Sequence, residues 1–182
     1  MRVITGIAKG RRLETLEGLD VRPTTDKVKE AIFSAIQFDL FDSCVLDLFA
    51  GTGQLGIEAL SRGARSAVFT DNSRKAVEVI KRNLEKTEFT SKSTVLNMNG
   101  IDFASTTSNK FDFIFLDPPY NKGILQEILP ILPNILEENG KIICEYEKNL
   151  DLPEEIDGLM LKNVRKYGKI KISVYCKAGK DE

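Results

Sequence analysis

The four residues Asp117-Pro118-Pro119-Tyr120 follow an apolar run that ends at Leu116, and their types suit the handling of an amino group. The Asp117 carboxylate and the Pro118 carbonyl can accept both hydrogens of one NH2 group. Accepting both draws the amine out of conjugation and turns its lone pair toward an incoming methyl group. The two prolines hold the backbone extended, and Tyr120 offers a flat face for stacking. The motif predicts an amine-alkylating site with Asp117, Pro118 and Tyr120 as catalytic residues.

A second run, VLDLFAGTG at residues 45–53, joins a strand-like segment to a glycine loop. Gly51 and Gly53 lack side chains, so that a ligand can lie against the backbone. With Gly56 the run also satisfies the GxGxxG fingerprint of dinucleotide sites. Asp47 would repel a pyrophosphate but attract the amino group of a methionine moiety, although an Asp that merely caps the glycine turn is an alternative. The pattern favours S-adenosylmethionine as the cofactor.

Polar residues at the ends of the next two strand-like runs extend this predicted cofactor site. Asp71 follows Gly51 by 20 residues, where a carboxylate can reach ribose hydroxyls, although a helix N-cap at Asp71 or Ser73 explains it equally well. In the next turn, Asn99 and Asp102 could each accept from an adenine amine, and the sequence leaves that choice open. The predicted cofactor-binding residues are Asp47, Phe49, Gly51, Gly53, Asp71, Asn72, Asn99, Gly100 and Ile101.

Alternating strand-like and helical patterns must position these motifs. The strand-like runs are Cys44–Phe49, Ser66–Thr70, Ser93–Asn97, Phe111–Leu116 and Lys141–Tyr146. The helical patterns are Gln54–Ser61, Arg74–Glu85 and Ile124–Leu136, the last interrupted by Pro130 and Pro133, with a short helical turn between Asn97 and Phe111. This alternation predicts an α/β fold whose mostly parallel sheet carries helices on both faces. The motifs then fall at the carboxyl ends of the strands, where such sheets bind ligands.

Antiparallel elements are expected at both ends of the chain. Residues 2–16 suit a β-hairpin around Lys9-Gly10, and Leu159–Tyr167 and Lys169–Cys176 suit another, joined at Gly168. Thr24 or Thr25 can cap a helix, whose buried face would comprise Val28, Ala31, Ile32, Ala35 and Ile36. We expect one domain over residues 1–182, with an N-terminal hairpin extension at 1–22 and the core at 23–182.

The composition narrows the chemistry. The 182 residues include no histidine, which excludes histidine-dependent triads, histidine-ligated zinc and histidine as a general base. No apolar run reaches the roughly 18 residues of a membrane span, and the first residues do not resemble a secretion signal. We therefore expect a cytoplasmic protein with no membrane partner and no metal.

The charge distribution suggests a nucleic-acid partner. The net charge is −1, but residues 1–12 carry four positive charges and residues 160–180 carry seven, with no acid in either segment. Basic ends on an acidic body suit contact with phosphates, although a solvated strand face and a charged tail are the alternative. The expected N-terminal RNA contacts include Arg11 and Arg12.

The DPPY and DLFAGTG motifs, at this spacing, resemble the amino-group methyltransferases of nucleic acids, which have a Rossmann-like class I S-adenosylmethionine-dependent methyltransferase fold. The resemblance is more specific to the RsmD family. It rests on MRVITGIAKGRRL at the N-terminus, RPTTDKVKEAIFSAI at 22–36, VLDLFAGTGQLGIEALSRGA at 45–64 and FDFIFLDPPY at 111–120. These runs span most of residues 1–136, and the first two are absent from general methyltransferases.

This resemblance implies methyl transfer from S-adenosylmethionine to the N2 amine of a guanine in bacterial small-subunit (16S) rRNA. The substrate would be naked rRNA or an assembling small subunit, and the enzyme a monomer. It further implies that Asp71 binds the ribose, Asn99 lies at the adenine, and Arg22 and Thr24 line the approach to the amine site. Asn72 stands where the family often has a charged residue, which leaves the details of the ribose contact open.

Three other functions fit parts of the sequence. The amine acceptor could be adenine N6 or a protein glutamine, but the RPT segment and the lack of a separate target-recognition domain argue against both. GxGxxG also allows an NAD-dependent oxidoreductase, which would leave Asp47 and the DPPY motif unexplained. A non-catalytic RNA-binding factor for ribosome assembly would not need the intact amine site.

Overall fold

The computed structural model describes residues 1–16, 25–120 and 123–179, which form an α/β fold around one eight-stranded sheet. Across the sheet the strands lie in the order β3-β2-β1-β4-β5-β8-β7-β6. The first five are parallel, and the last three are antiparallel. The strands are β1 (Cys44–Leu48), β2 (Ser66–Asp71), β3 (Ser93–Asn97), β4 (Phe111–Leu116), β5 (Leu136–Glu147), β6 (Glu155–Ile156), β7 (Leu159–Tyr167) and β8 (Ile170–Lys177).

Helices cover both faces of the parallel part, as predicted. The helices are α1 (Asp26–Ser34), α2 (Gln54–Ser61), α3 (Arg74–Thr87), α4 (Gly100–Thr106) and α5 (Ile124–Ile128), with 3-10 turns at Thr90–Lys92 and Leu132–Asn134. Buried residues of α1, α2 and α3 pack with one set of strand residues, and those of α4 and α5 pack with the alternate set. The strands are therefore apolar on both faces, as expected for a covered parallel sheet. No helix in the described ranges is long and apolar enough to cross a membrane.

The N-terminal arm, residues 1–16, is antiparallel but makes only one β-bridge, between Arg2 and Arg12. The predicted hairpin is thus present without two regular strands. Side chains of α2 bind the arm instead, since the Glu58 carboxylate accepts from the amides of Ile4 and Thr5 at 2.8 and 3.0 Å. Backbone groups satisfied in this way do not need a longer strand ladder. The predicted boundary between residues 22 and 23 lies outside the described residues.

Two predicted boundaries were wrong, one because of prolines and the other because of a pairing between strands. The helix expected to end at Leu136 ends at Ile128, because Pro130 and Pro133 cannot donate backbone hydrogen bonds. The fifth strand begins earlier than predicted, at Leu136, which pairs with Phe111 ahead of a register shift.

The short turn expected after β3 is a seven-residue helix. Asn99 caps it by accepting from the Ile101 amide at 2.8 Å, and this cap stabilises a helix whose sequence contains a glycine, a serine and a threonine. The predicted C-terminal hairpin is confirmed, with the short β6 added at its outer edge.

Candidate active site

The carboxyl ends of the five parallel strands bring the predicted motifs to one edge of the sheet. Leu48 pairs with Leu116 of β4 on one side and with Thr70 of β2 on the other. The glycine loop that starts at Phe49 and the motif that starts at Asp117 therefore begin side by side. Neighbouring strands lie about 4.8 Å apart, so groups held by these two loops can act on the same pair of reactants.

The glycine loop is held in a conformation that favours glycine. Phe49, Gly51 and Gly53 have positive φ angles of 59°, 56° and 77°, a region that residues with side chains rarely adopt. The Ala50 amide donates to the Thr70 carbonyl at 2.9 Å. A Cβ atom added at Gly51 would meet nothing within 4 Å. The backbone at Gly51 is thus open to a ligand, and its φ angle explains the glycine.

Asp47 lies beneath this loop and supports α2. Its carboxylate is buried and accepts from the Gly56 amide at 2.8 Å. Burial raises the pKa of the Asp47 carboxyl to about 8, against the lowering effect of the Gly56 hydrogen bond. A Cβ atom at Gly56 would lie 2.3 Å from the Phe69 ring, so this glycine allows α2 to pack closely on β2. Contact of Asp47 with a cofactor amino group remains a prediction.

Asp71 connects the loop to the end of β2. One carboxylate oxygen accepts from the Gly51 amide at 2.9 Å and the other from the Ser73 amide at 2.8 Å. Ser73 caps α3 by accepting from the Ala76 amide, which decides between the two capping residues considered above. Asn72 and Asp102 are exposed, and so is the helix cap Asn99.

Two buried polar atoms beside the loop, Gln54 Oε1 and Thr70 Oγ1, lack a hydrogen-bond partner among the described residues. Gln54 directly follows Gly53 at the start of α2. Thr70 contacts the loop through its carbonyl, which accepts from the Ala50 amide. An open glycine backbone bordered by acceptors and carboxylates fits a polar, cationic ligand such as S-adenosylmethionine. Within the described ranges, no group of three His, Cys, Asp or Glu residues could hold a metal ion.

The last three residues of the DPPY motif line a narrow cleft together with the end of β5. Pro118, Pro119 and Tyr120 form one wall, and Glu145, Tyr146 and Glu147 contribute to the other. The Tyr120 hydroxyl donates to Glu145 Oε1 at 3.4 Å. Burial, followed by the charges of Glu145 and Asp117, raises the pKa of Tyr120 well above its ordinary value. Tyr120 is therefore a neutral phenol at physiological pH.

The sequence matches the family described as Conserved hypothetical protein 95 over residues 1–176. The small-subunit rRNA methyltransferase D of Haemophilus influenzae is 35% identical over 89% of this chain and 86% of its own length. The chain belongs to the RsmD family.

The solved structure of Escherichia coli YhhF, provisionally described as a methyltransferase, aligns with this chain over 97% of both chains, with a TM-score of 0.87 and 31% identity. An archaeal relative from Methanocaldococcus jannaschii, named tRNA (guanine(10)-N2)-dimethyltransferase, is 32% identical over 69% of this chain and 41% of its own length. The fold is the Rossmann-like fold of class I S-adenosylmethionine-dependent methyltransferases.

The structure describes two of the four residues expected to contact RNA, namely Arg11 and Arg12 from the charge distribution, but not Arg22 and Thr24 from the RsmD resemblance. Arg11 donates to the Lys86 carbonyl at 2.6 Å and to Glu88 at 2.8 Å, so its guanidinium holds the N-terminal arm to the end of α3. Arg12 is exposed. Arg22 and Thr24 lie outside the described residues. Their contacts with RNA, like that of Arg11, remain predictions.

The basic residues of the C-terminal hairpin include lysines paired with acidic side chains and exposed lysines at the β7–β8 turn. Lys171 and Lys177 pair with acidic side chains, at 2.6 and 3.5 Å. Lys166 and Lys169 are exposed at the β7–β8 turn, which lies at the same edge as the cleft because the Lys148 amide donates to the Lys169 carbonyl just beyond β5. Sequence reasoning did not single out these two lysines.

Glu145 is the main site residue that sequence reasoning missed. It occupies the apolar run IICEYE of β5, and it is only 4% exposed. A buried glutamate within a strand costs free energy unless it is hydrogen-bonded. That position was the signal available in the sequence.

Proposed function

We propose that this protein transfers a methyl group from S-adenosylmethionine to the N2 amine of a guanine in bacterial small-subunit rRNA. The observation that carries the proposal is the pairing of Leu48 with Leu116, which sets the glycine loop beside the Asp117–Tyr120 motif. Family membership supports rRNA as the substrate, since two matched relatives are named small-subunit rRNA methyltransferases. The name of the archaeal relative specifies guanine N2.

The glycine loop and its neighbours would hold the cofactor. Gly51 presents open backbone, Asp71 and Asn99 stand at the ends of the next two strands, and Asp47 supports the loop from below. Bound there, S-adenosylmethionine supplies a methyl group on a positively charged sulfur, which keeps the bonding electrons and leaves as a neutral thioether. No metal or covalent enzyme intermediate is required for that chemistry.

The protein's own task is to hold and orient the nitrogen. The Asp117 carboxylate and the Pro118 carbonyl would accept the two N–H groups and direct the lone pair toward the methyl group. When the new N–C bond forms, the nitrogen carries one proton too many, which the Asp117 carboxylate would accept. Positioning of this kind accounts for much of the rate enhancement in such reactions.

The base would enter the cleft out of its stack and lie against Tyr120. Flipping a nucleotide costs on the order of a few kcal/mol, which stacking on an aromatic ring can offset. Exposed basic side chains near the cleft, including Lys166 and Lys169, would bind the phosphates that flank the target. The rRNA or assembling subunit would be met in the cytoplasm by a monomer.

A labelled transfer assay tests the proposal. Small subunits and naked rRNA from a strain lacking this gene are incubated with the protein and methyl-labelled cofactor, then digested to nucleosides. The expected product is N2-methylguanosine. RNA from the intact strain is the matched control, because its target is already methylated. Label in N6-methyladenosine, in protein or in no product at all would overturn the proposal.

A further inference from the structure

A carboxylate lies next to the amine site on the strand beyond it. Leu116 pairs with Cys144, so Glu145 stands level with Asp117 on the neighbouring strand. Glu145 lines the cleft that the motif also lines, and it is 4% exposed. Its Oε1 accepts from the Tyr120 hydroxyl, on the side of the sheet that carries α1. Glu145 therefore lies at the hydroxyl edge of the ring on which the base is proposed to stack.

Guanine and adenine differ in what they present to a carboxylate. The N1 and N2 groups of guanine are adjacent N–H donors, whereas adenine presents N1 as an acceptor. A carboxylate can accept up to about four hydrogen bonds, so accepting from Tyr120 is compatible with accepting from a base as well. Toward adenine N1 the same carboxylate would be repulsive, because two acceptors would face each other in a site that excludes water.

We propose that Glu145 is the residue that selects guanine, by accepting the N1–H of the base whose N2 amine is held by Asp117 and Pro118. This inference rests on the proposed guanine-N2 reaction and deepens it. The two carboxylates would bind different atoms of the same edge of the base: Asp117 would accept from the reacting N2 amine, and Glu145 would accept from the adjacent N1–H. Flipped bases are generally read by hydrogen bonds to this edge.

The alternative role for Glu145 is to orient Tyr120 alone. The two roles separate with 2-aminopurine, which keeps the N2 amine but lacks the N1–H. The substrate is the target segment of rRNA, reconstituted into subunits if naked RNA is inactive, with guanine or 2-aminopurine at the mapped position. The quantity measured is the ratio of kcat/KM for the two bases.

The wild-type protein should prefer guanine by roughly 10- to 100-fold, the range expected for one hydrogen bond to a charged group. In Glu145→Gln this preference should shrink to about 3-fold or less, because the amide can donate to the bare N1 of 2-aminopurine. Tyr120→Phe removes the hydroxyl contact but leaves the carboxylate, so it should keep the preference whatever it does to the rate. Glu147→Gln, two residues along the same strand, should keep it as well.

Equal wild-type rates on the two bases would overturn this inference without any variant, while transfer to guanine would leave the proposed function standing. A preference that survives Glu145→Gln, or one that is lost in Glu147→Gln instead, would also overturn it. Absence of transfer to guanine by the wild-type protein would overturn the proposed function and this inference together.

Discussion

The carboxylates at the carboxyl edge of the sheet differ in what their oxygens bind. Asp47 and Asp71 accept backbone N–H groups of the glycine loop and of α2 and α3, so they shape the loop itself. Glu145 lines the cleft in which the substrate base is proposed to lie, and Asp117 directly precedes the cleft residue Pro118. The residue type alone could not separate these roles. The separation depends on which backbone groups lie within reach of each carboxylate.

Asp117→Asn tests the amine-holding role. The substitution keeps the shape but replaces one acceptor oxygen with a donor that faces the incoming N–H. The methyl-transfer step should slow by about 10²- to 10³-fold, the range seen when one preorganised hydrogen-bond partner is lost. Cofactor affinity should change little, because the glycine loop lies on β1. Single-turnover transfer with saturating cofactor measures the step, and a wild-type rate in this variant would make Asp117 a structural turn residue.

Asp47→Asn tests the buried carboxyl beneath the loop. The folded protein keeps this proton up to about pH 8, whereas the unfolded chain releases it near pH 4. Between these values unfolding releases a proton. The contribution of the protonated Asp47 carboxyl to the free energy of unfolding is therefore complete below the unfolded pKa and is lost as the pH rises toward 8. The Asn side chain keeps an acceptor for the Gly56 amide and does not titrate.

Urea unfolding without cofactor at pH 5.5 and 8.5 measures this effect. The wild-type protein should lose at least about 1 kcal/mol more unfolding free energy than Asp47→Asn over that interval. Parallel pH profiles for the two proteins would show that Asp47 titrates normally in the folded state.

Among the secondary-structure elements, the sequence pattern predicted the strands β1 and β4 that carry the site. It predicted the α4 helix and the start of β5 less reliably. β1 and β4 are apolar runs bounded by turn residues, so their bounds agreed with the structure to within one residue. The α4 helix depends on the Asn99 cap, and the early start of β5 depends on a tertiary pairing with β4. Helix caps and long-range pairings are weakly encoded in periodicity.

The N-terminal arm shows the same limit. Its alternating pattern suggested a hairpin ladder, and backbone hydrogen bonds do cross the arm, but buried polar side chains of the core hold it as well. Glu58 accepts from two arm amides, and Asn83 joins Glu14 to the Thr52 carbonyl of the glycine loop. Periodicity says nothing about a polar partner some 70 residues away. Arg11, expected at the RNA, is bound to α3 for the same reason.

The β7–β8 turn provides a prediction about RNA binding. Lys166→Gln with Lys169→Gln should weaken binding to small-subunit rRNA and reduce the slope of log affinity against log salt by roughly 1.5 to 2, since each lost phosphate contact removes nearly one unit. Cofactor affinity should not change. Lys162→Gln with Lys177→Gln, at the other end of the same hairpin, is the matched control and should bind RNA nearly as the wild type does. Equal losses in the two pairs would show a general charge effect and no local contact.

At the scale of the whole molecule, the parallel sheet converts distant sequence motifs into one site. The glycine loop and the DPPY motif lie more than 60 residues apart in the chain, yet their strands are neighbours. The alternation of strands and helices was sufficient to predict that the loops share an edge. It could not predict that β5 would add Glu145 to the cleft, because that contribution depends on strand order and register.

The central claim is that this protein places one methyl group on one guanine of small-subunit rRNA. Mass mapping of that rRNA from a strain lacking the gene tests the claim most directly, with the strain complemented by the wild-type gene or by Asp117→Asn. We expect one guanine to lose its N2-methyl group in the deletion, to regain it with the wild-type gene, and to remain largely unmethylated with the variant. An rRNA whose modifications are identical with and without the gene would contradict the account.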